Sequence, residues 1–374
     1  MQKDISDTDS AQEEKTVKNI SKLDKNFSVN TKIDKPDIIW YDAAESPFEI
    51  YGAYGKNPYT RMPAKVAETV SEGVTELNYH TAGIRARFRC NSPYIAIHVE
   101  WKQFVHMPHA SDIGLSGFDL YFSHGDDEYR LVKPFITPWN IENAKNGYES
   151  VLDVSGEMCD YVLNFPSYND VERLFIGVSR DAKFESAAKY RDVLPIVYYG
   201  SSITQGGCAC RPGNVYQNFL ARMLNVDYIN LGFSGNGKGE QTMADYIAEL
   251  PMSVFVSDYD HNAPSPEHLE ATHYNLYKTI RAKNPTLPYI MVSKPDYKSW
   301  VENDLRRKKI IKESYERALA EGDENVYFID GESFFGDTER FSHTVDGCHP
   351  NDLGFYKMAM GFYPLLSRLL EGLG

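Results

Sequence analysis

The order of apolar runs and turn residues predicts an α/β fold, a flavodoxin-like three-layer sandwich with five parallel strands, preceded by an all-β, jelly-roll-like sandwich. Three observations carry this. From 194 onward, short apolar runs at 196–199, 228–232, 254–256, 289–292 and 327–329 alternate with helical stretches at 215–224, 241–250, 267–283, 305–321 and 353–370. Strands that alternate with helices imply a parallel sheet covered on both faces. Between 38 and 191 the runs are shorter and bounded by turn residues, as at 84–88, 94–101, 118–122, 161–165 and 174–178, the patterning of strands in a sandwich. Finally, 374 residues exceed a single domain of about 100–200 residues.

The expected organisation is a flexible tail at 1–35, a β-sandwich at 36–190 and an α/β domain at 191–374. The tail reading rests on the Asp, Glu, Lys and Ser that crowd the first thirty residues and cannot support a packed core. That stretch lacks the apolar centre of a signal peptide, so the default expectation is a cytoplasmic protein, with an exported form that has shed its leader left open. No run approaches the roughly 18 apolar residues of a membrane span. A net charge of -14, from 39 basic and 53 acidic residues, argues against a nucleic-acid partner, and the run Arg306-Arg307-Lys308-Lys309 reads as a solvated helix face. Five cysteines, Cys90, Cys159, Cys208, Cys210 and Cys348, make an odd number without a dense framework, the pattern of reduced thiols. A homo-oligomer is compatible with all of this.

Reactive groups in a parallel sheet lie beyond the carboxyl ends of its strands. Three strands run into polar or glycine-rich turns there: Gly200-Ser201-Ser202-Ile203-Thr204-Gln205-Gly206, Gly232-Phe233-Ser234-Gly235-Asn236-Gly237 and Ser257-Asp258-Tyr259-Asp260-His261-Asn262. A fourth cluster, Asp346-Gly347-Cys348-His349-Pro350, precedes the last helix. A serine at a strand-to-helix turn, such as Ser202, exposes its hydroxyl beside backbone N–H groups and the positive end of the following helix. Its base would be a histidine oriented by a carboxylate, and Asp346 with His349 has the spacing for it. Gly235 can offer a backbone N–H and Asn262 a side-chain N–H to a developing oxyanion. Taken singly, each has a structural alternative: Ser201 or Ser202 as a helix cap, Asp346 as a cap beside a surface histidine, Gly235 and Asn262 as ordinary turn residues. The conjunction is what points to acyl chemistry. A metal centre built from Asp258, Asp260, His261 and His349 is the minor alternative, since no recognised metal spacing is present, so neither a metal nor another cofactor is expected.

These blocks resemble those of the SGNH/GDSL hydrolases: Gly200 to Gly206 the first, Asn230-Leu231-Gly232-Phe233-Ser234-Gly235 the second, Asn262 the third and Asp346-x-x-His349 the last. The resemblance spans 192–374 and implies Ser202 as nucleophile, its own N–H with Gly235 and Asn262 as oxyanion hole, His349 as base and Asp346 as its orienter. Ser201 stands where the family's name has aspartate, and Ala263 where an aspartate often follows the third-block asparagine. Gly117-Phe118-Asp119-Leu120-Tyr121 is similar to the G-x-D-L-Y motif of a β-sandwich that precedes such domains in a bacterial branch of acetylhydrolases and carbohydrate esterases, and Cys208-Ala209-Cys210-Arg211-Pro212-Gly213 also matches that branch. The resemblance implies an esterase for a small-molecule or oligosaccharide ester, most simply an acetyl ester. An acyltransferase with the same residues, and a non-catalytic carbohydrate-binding protein using Trp101 or Trp139, are the alternatives. His106, Met107 and His109, in the segment before the G-x-D-L-Y strand, are expected to line the substrate side.

Overall fold

The computed structural model describes residues 33–125, 128–295 and 301–373. Apart from residues 33–35, the expected tail lies outside the described residues; Lys35 Nζ meets Asp153 Oδ1 at 2.7 Å. The first half runs β1 (Ile38–Asp42), β2 (Glu49–Tyr51), β3 (Gly55–Lys56), β4 (Tyr59–Thr60), α1 (Ala64–Val70), α2 (Glu72–Leu77), β5 (Arg85–Cys90), β6 (Tyr94–Glu100), α3 (Asp112–Ser116), β7 (Phe118–Ser123), β8 (Arg130–Phe135), β9 (Gly147–Asp153), β10 (Cys159–Asn164), β11 (Arg173–Ser179) and β12 (Phe184–Glu185). The second runs β13 (Ile196–Gly200), α4 (Ser202–Gln205), α5 (Tyr216–Leu224), β14 (Tyr228–Gly232), α6 (Gln241–Ala248), β15 (Val254–Asp258), α7 (Pro266–Lys283), β16 (Tyr289–Val292), α8 (Val301–Ala320), β17 (Val326–Ile329) and α9 (Asp352–Glu371).

Two antiparallel sheets form the first half, one ordered β1-β11-β6-β9 and the other β12-β5-β10-β7-β8 with β2 beside β5. Side chains alternate along each strand, and the inward set, including Ala86, Phe88, Ile95, Ile97, Leu120, Leu163 and Ile176, makes one buried core. Trp101 belongs to that core, 3% exposed, with its Nε1–H donated to the Ala144 carbonyl at 2.6 Å. It is therefore no sugar platform, whereas Trp139 is exposed.

The second half is a five-stranded parallel sheet ordered β14-β13-β15-β16-β17, with both faces buried. Ile196, Tyr198, Val254 and Val256 pack against Tyr216, Leu220, Met358 and Phe362 of α5 and α9. Val197, Tyr199, Phe255 and Met291 face the side of α6, α7 and α8. This is why the strands read as continuous apolar runs rather than alternating ones. One departure from an all-β first half matters: α1 and α2 place Ala67 and Val74, with Met62 before them, in the core of the α/β half. No helix of the described residues is long and apolar enough to cross a membrane, and all five cysteines are free thiols.

Candidate active site

In this strand order β13 lies between β14 and β15, where the connections turn to opposite sides, the position at which open α/β sheets gather ligands. The register pairs Gly200 with both Gly232 and Asp258, so the three polar turns leave adjacent strands at one level. Gly200 has to be glycine: an added Cβ would sit 2.1 Å from the Asp258 carbonyl oxygen and from Thr204 Oγ1. Ser201 then caps α4, its Oγ accepting the Ile203 N–H at 3.1 Å, and Ser202 opens the helix.

That helix differs from the expected one. α4 is a single turn that stops at Gly206 in the left-handed region, φ 106°, and α5 begins only at Tyr216. The dipole of a long helix is therefore not aimed at Ser202, and individual N–H groups are what the site offers instead. Ser201 fills its position as a buried cap rather than leaving a defect.

Ser202 Oγ lies 2.9 Å from His349 Nε2, and His349 Nδ1 lies 2.7 Å from Asp346 Oδ2. The other Asp346 oxygen accepts the N–H groups of Cys348 at 2.9 Å and His349 at 2.8 Å. Partial burial would by itself raise the Asp346 carboxyl, but the hydrogen bonds from the His349 backbone, its imidazole and the Cys348 backbone outweigh it and hold the group at about 2. An ionised carboxylate only accepts, so Nδ1 carries the imidazole proton and Nε2 is left to accept from the serine hydroxyl. The turn is fixed by Val345 N–H to the His349 carbonyl at 2.9 Å, and by Asn351, whose side chain caps α9 at Gly354 N–H. Ser202 is 8% exposed.

Gly235 adopts φ 69° with open space where a Cβ would be, so backbone conformation rather than crowding favours glycine there. The backbone N–H groups of Ser202 and Gly235 have no acceptor among the described residues. Asn262 Oδ1 accepts the Gly237 N–H at 3.4 Å, which turns its Nδ2 away from that loop with no acceptor among the described residues.

Among the described residues, Asp258, Asp260 and His261 form a group that could hold a metal, with ligand atoms within 4.8 Å of one another. His349 is not with them, being engaged by Ser202. Burial, with Asp260 nearby, pushes Asp258 well above the usual carboxylate range, and its Oδ2 accepts from Thr204 Oγ1 at 3.3 Å. Burial also acts to raise Asp260, but the His261 imidazole, 2.8 Å away though not aligned as a hydrogen bond, and the Lys294 N–H hold it low. Arg307 donates to the Asp260 carbonyl, so the basic run of α8 is not merely solvated.

The sandwich borders this site. The His109 and His349 rings lie 6.4 Å apart. His106 instead pairs with Asp112 at 2.7 Å, and the Met107 carbonyl accepts the Ala110 N–H; neither has a hydrogen bond to Ser202, His349 or Asp346 among the described residues. Sequence reasoning passed over Tyr168, whose hydroxyl donates to the Ser202 carbonyl at 3.3 Å, and Gln205. It also left the G-x-D-L-Y motif without a task. Asp119 is fully buried and accepts from Asn164 Nδ2 at 2.7 Å, Arg211 Nη1 at 2.9 Å and Gly213 N–H at 2.8 Å, while Tyr121 bonds Arg211 through its hydroxyl. The motif clasps the loop that leads from α4 to α5.

A parallel α/β domain with serine, histidine and aspartate aligned at its switch point, clasped by a β-sandwich, is the build of an SGNH-type hydrolase. Residues 194–367 match the GDSL-like lipase/acylhydrolase family, and residues 38–184 match the N-terminal domain of SGNH-hydrolase-type esterases. The chain thus carries a GDSL-like lipase/acylhydrolase domain behind the G-x-D-L-Y domain of SGNH-hydrolase-type esterases. Among solved structures it is similar to a GDSL-like lipase from Bacteroides ovatus, at 29% identity and TM-score 0.80, covering 89% of this chain and 98% of that one. A salicylyl-acyltransferase from a tetracycline biosynthetic pathway shares the fold at 18% identity and TM-score 0.71, covering 91% and 98%. So does a family two carbohydrate esterase from Clostridium thermocellum, at 14% identity and TM-score 0.59, covering 87% and 98%. No curated protein sequence matches the chain.

Proposed function

We propose that this hydrolase is a serine esterase that removes a small acyl group, acetyl in the first instance, from a carbohydrate or polyol ester. The observation that carries it is the unbroken row from Ser202 Oγ through His349 to Asp346, at 2.9 and 2.7 Å. Ser202 Oγ attacks the ester carbonyl while its proton passes to His349 Nε2. The oxygen that gains charge is received by the N–H groups of Ser202 and Gly235 and by Asn262 Nδ2, donors with no competing acceptor to release. As the tetrahedral adduct collapses, His349 returns the proton to the leaving alcohol. Water then attacks the acyl-serine, giving a proton to His349, which passes it to Ser202 Oγ as the acid is released. Asp346, ionised throughout, stabilises the imidazolium in both halves.

The sugar reading is supported by the likeness in fold to carbohydrate esterases, including an acetyl xylan esterase from Butyrivibrio proteoclasticus. Transfer to an acceptor alcohol in place of water is the second reading. It is favoured by the shelter of Ser202 beneath the sandwich and by the fold shared with an acyltransferase. The test is an acyl-chain series of nitrophenyl esters beside acetylated oligosaccharides, with and without a polyol acceptor. Rates that fall beyond acetyl, and faster release from the sugars, are expected. Turnover that needs the acceptor would replace hydrolysis by transfer. Dialysis against EDTA is expected to leave the rate unchanged; loss with rescue by zinc would move the chemistry to Asp258, Asp260 and His261.

A further inference from the structure

The two halves of the chain also meet at a cluster of arginines remote from the Ser202 row in its contacts. Arg85 and Arg87 stand two residues apart on β5, so they share a face, and both are 1% exposed. Arg85 is paired with Asp227 across the interface and lies 4.0 Å over the Tyr228 ring. Arg87 lies 4.2 Å over the Tyr190 ring and gives one N–H to the Tyr129 hydroxyl. Arg222 approaches from α5, 4.4 Å over Tyr121. The side chains of these three arginines line a cavity of about 20 Å³ whose lining residues include no Asp or Glu.

The charges there do not cancel. Asp227 bonds Arg85 and acts on Arg87 only through space, and Glu49, which pairs with Arg87 in the strand register, accepts the Tyr51 hydroxyl at 2.7 Å. Neither Arg87 nor Arg222 has an acid within 4.0 Å among the described residues, and Arg87 Nη1 is buried with no hydrogen-bond partner. A buried guanidinium without an adjacent counter-charge is costly; Arg87 is in that position, and the half-buried Arg222 lines the same cavity. The volume decides the ligand. The cavity's narrow part admits about one water-sized body, which favours a monatomic anion over phosphate, sulfate or an organic acid.

We propose that this cavity is a halide site, in which one chloride ion held by Arg87 and Arg222 joins the sandwich to the α/β half. A water molecule fits the same space and would bridge Arg87 Nη1 to Asn164 Oδ1, which is likewise without a partner, so the experiment must separate ion from water. Thermal unfolding of the full chain is followed at constant ionic strength as chloride replaces gluconate. The folding equilibrium constant is expected to rise as one plus the ratio of chloride to its Kd, about a hundredfold at a hundred times Kd. Arg87→Gln should abolish the dependence, and Arg222→Gln, at the more exposed wall, should weaken it at unchanged kcat. Crystals grown in bromide should show an anomalous peak beside Arg87 Nη1, a readout that does not depend on either variant folding. A chloride response no larger than that of gluconate, or a water without anomalous signal in the cavity, overturns the proposal.

Discussion

Ser234 N–H donates to Gln205 Oε1 at 2.9 Å, and this bond ties the turn after β14 to the short helix after β13. The same Gln205 side chain donates through Nε2 to the Ser167 carbonyl at 3.1 Å and lies 3.2 Å from His80 Nδ1. Burial, with the Arg61 charge beside it, pulls His80 down to about 3, so it is a neutral acceptor at any working pH. Through Gln205 the sandwich therefore reaches the N–H next to Gly235.

Gln205 acts as a positioning residue, and Gln205→Glu should separate that role from simple packing. The carboxylate keeps the acceptor for Ser234 but loses both donors, so the turn is held from one side only. A fall in kcat of roughly tenfold, the worth of one hydrogen bond of about 1.4 kcal/mol, is expected with KM nearly constant. Steady-state kinetics on the best ester decides it. A variant that changes KM alone would place Gln205 in substrate binding.

Asp119→Ala should destabilise the whole protein. It removes a buried acceptor from Arg211, Gly213 and Asn164 at once and strands the Arg211 guanidinium, which is partly exposed, so the cost falls near the lower end for a broken buried pair, about 3 kcal/mol. Urea unfolding with an unchanged m value would measure it. A loss under about 1 kcal/mol would demote the clasp to an ordinary surface contact.

Asp258 gives a pH dependence whose sign can be worked out. Its folded-state pKa lies above the unfolded value near 3.9, so between the two the folded protein holds a proton that the unfolded chain has released. Stability from this group therefore falls as pH rises through that window. Asp258→Asn removes the liability and should be relatively more stable at pH 8 than at pH 4. Unfolding free energies of both proteins at the two pH values are the measurement, and a difference that does not move with pH would mean that Asp258 is ionised in the fold.

The sheet was legible because its strands are buried on both sides, so the runs ending at Tyr199, Gly232 and Val292 carry a signal that survives without partners. The Ser202, Asp346 and His349 arrangement was legible because each residue lies in a short local motif whose position in the strand order fixes which edge it reaches. What stayed hidden depends on contacts between distant parts of the chain. Met62, Ala67 and Val74 look like any amphipathic stretch, and only packing reveals that they cover the α/β half. Trp101 has the residue type of a sugar platform, and its burial is set by Ala144 and Tyr148 far along the sequence. Gln205 had one available clue, a long polar side chain at the end of a turn otherwise made of small residues.

The proposed catalytic row makes a graded prediction. Ser202→Ala and His349→Ala should each be nearly inactive, and the double variant little worse than either, since without the hydroxyl the imidazole has no proton to take. Asp346→Asn should be less damaging than loss of the serine, because the carboxylate orients the ring and meets its charge but bonds no substrate atom. The same substitution should also change acid stability. With a folded pKa of about 2, below the unfolded value near 3.9, Asp346 stabilises the protein above about pH 4 and loses that contribution as pH falls toward 2. Asn262→Ala should lower kcat by roughly 10²–10³ with little change in KM, as its amide meets charge present only in the transition state. Circular dichroism of every variant comes first, so that rates are compared between folded proteins. Wild-type turnover by folded Ser202→Ala on the best ester would refute the mechanism outright.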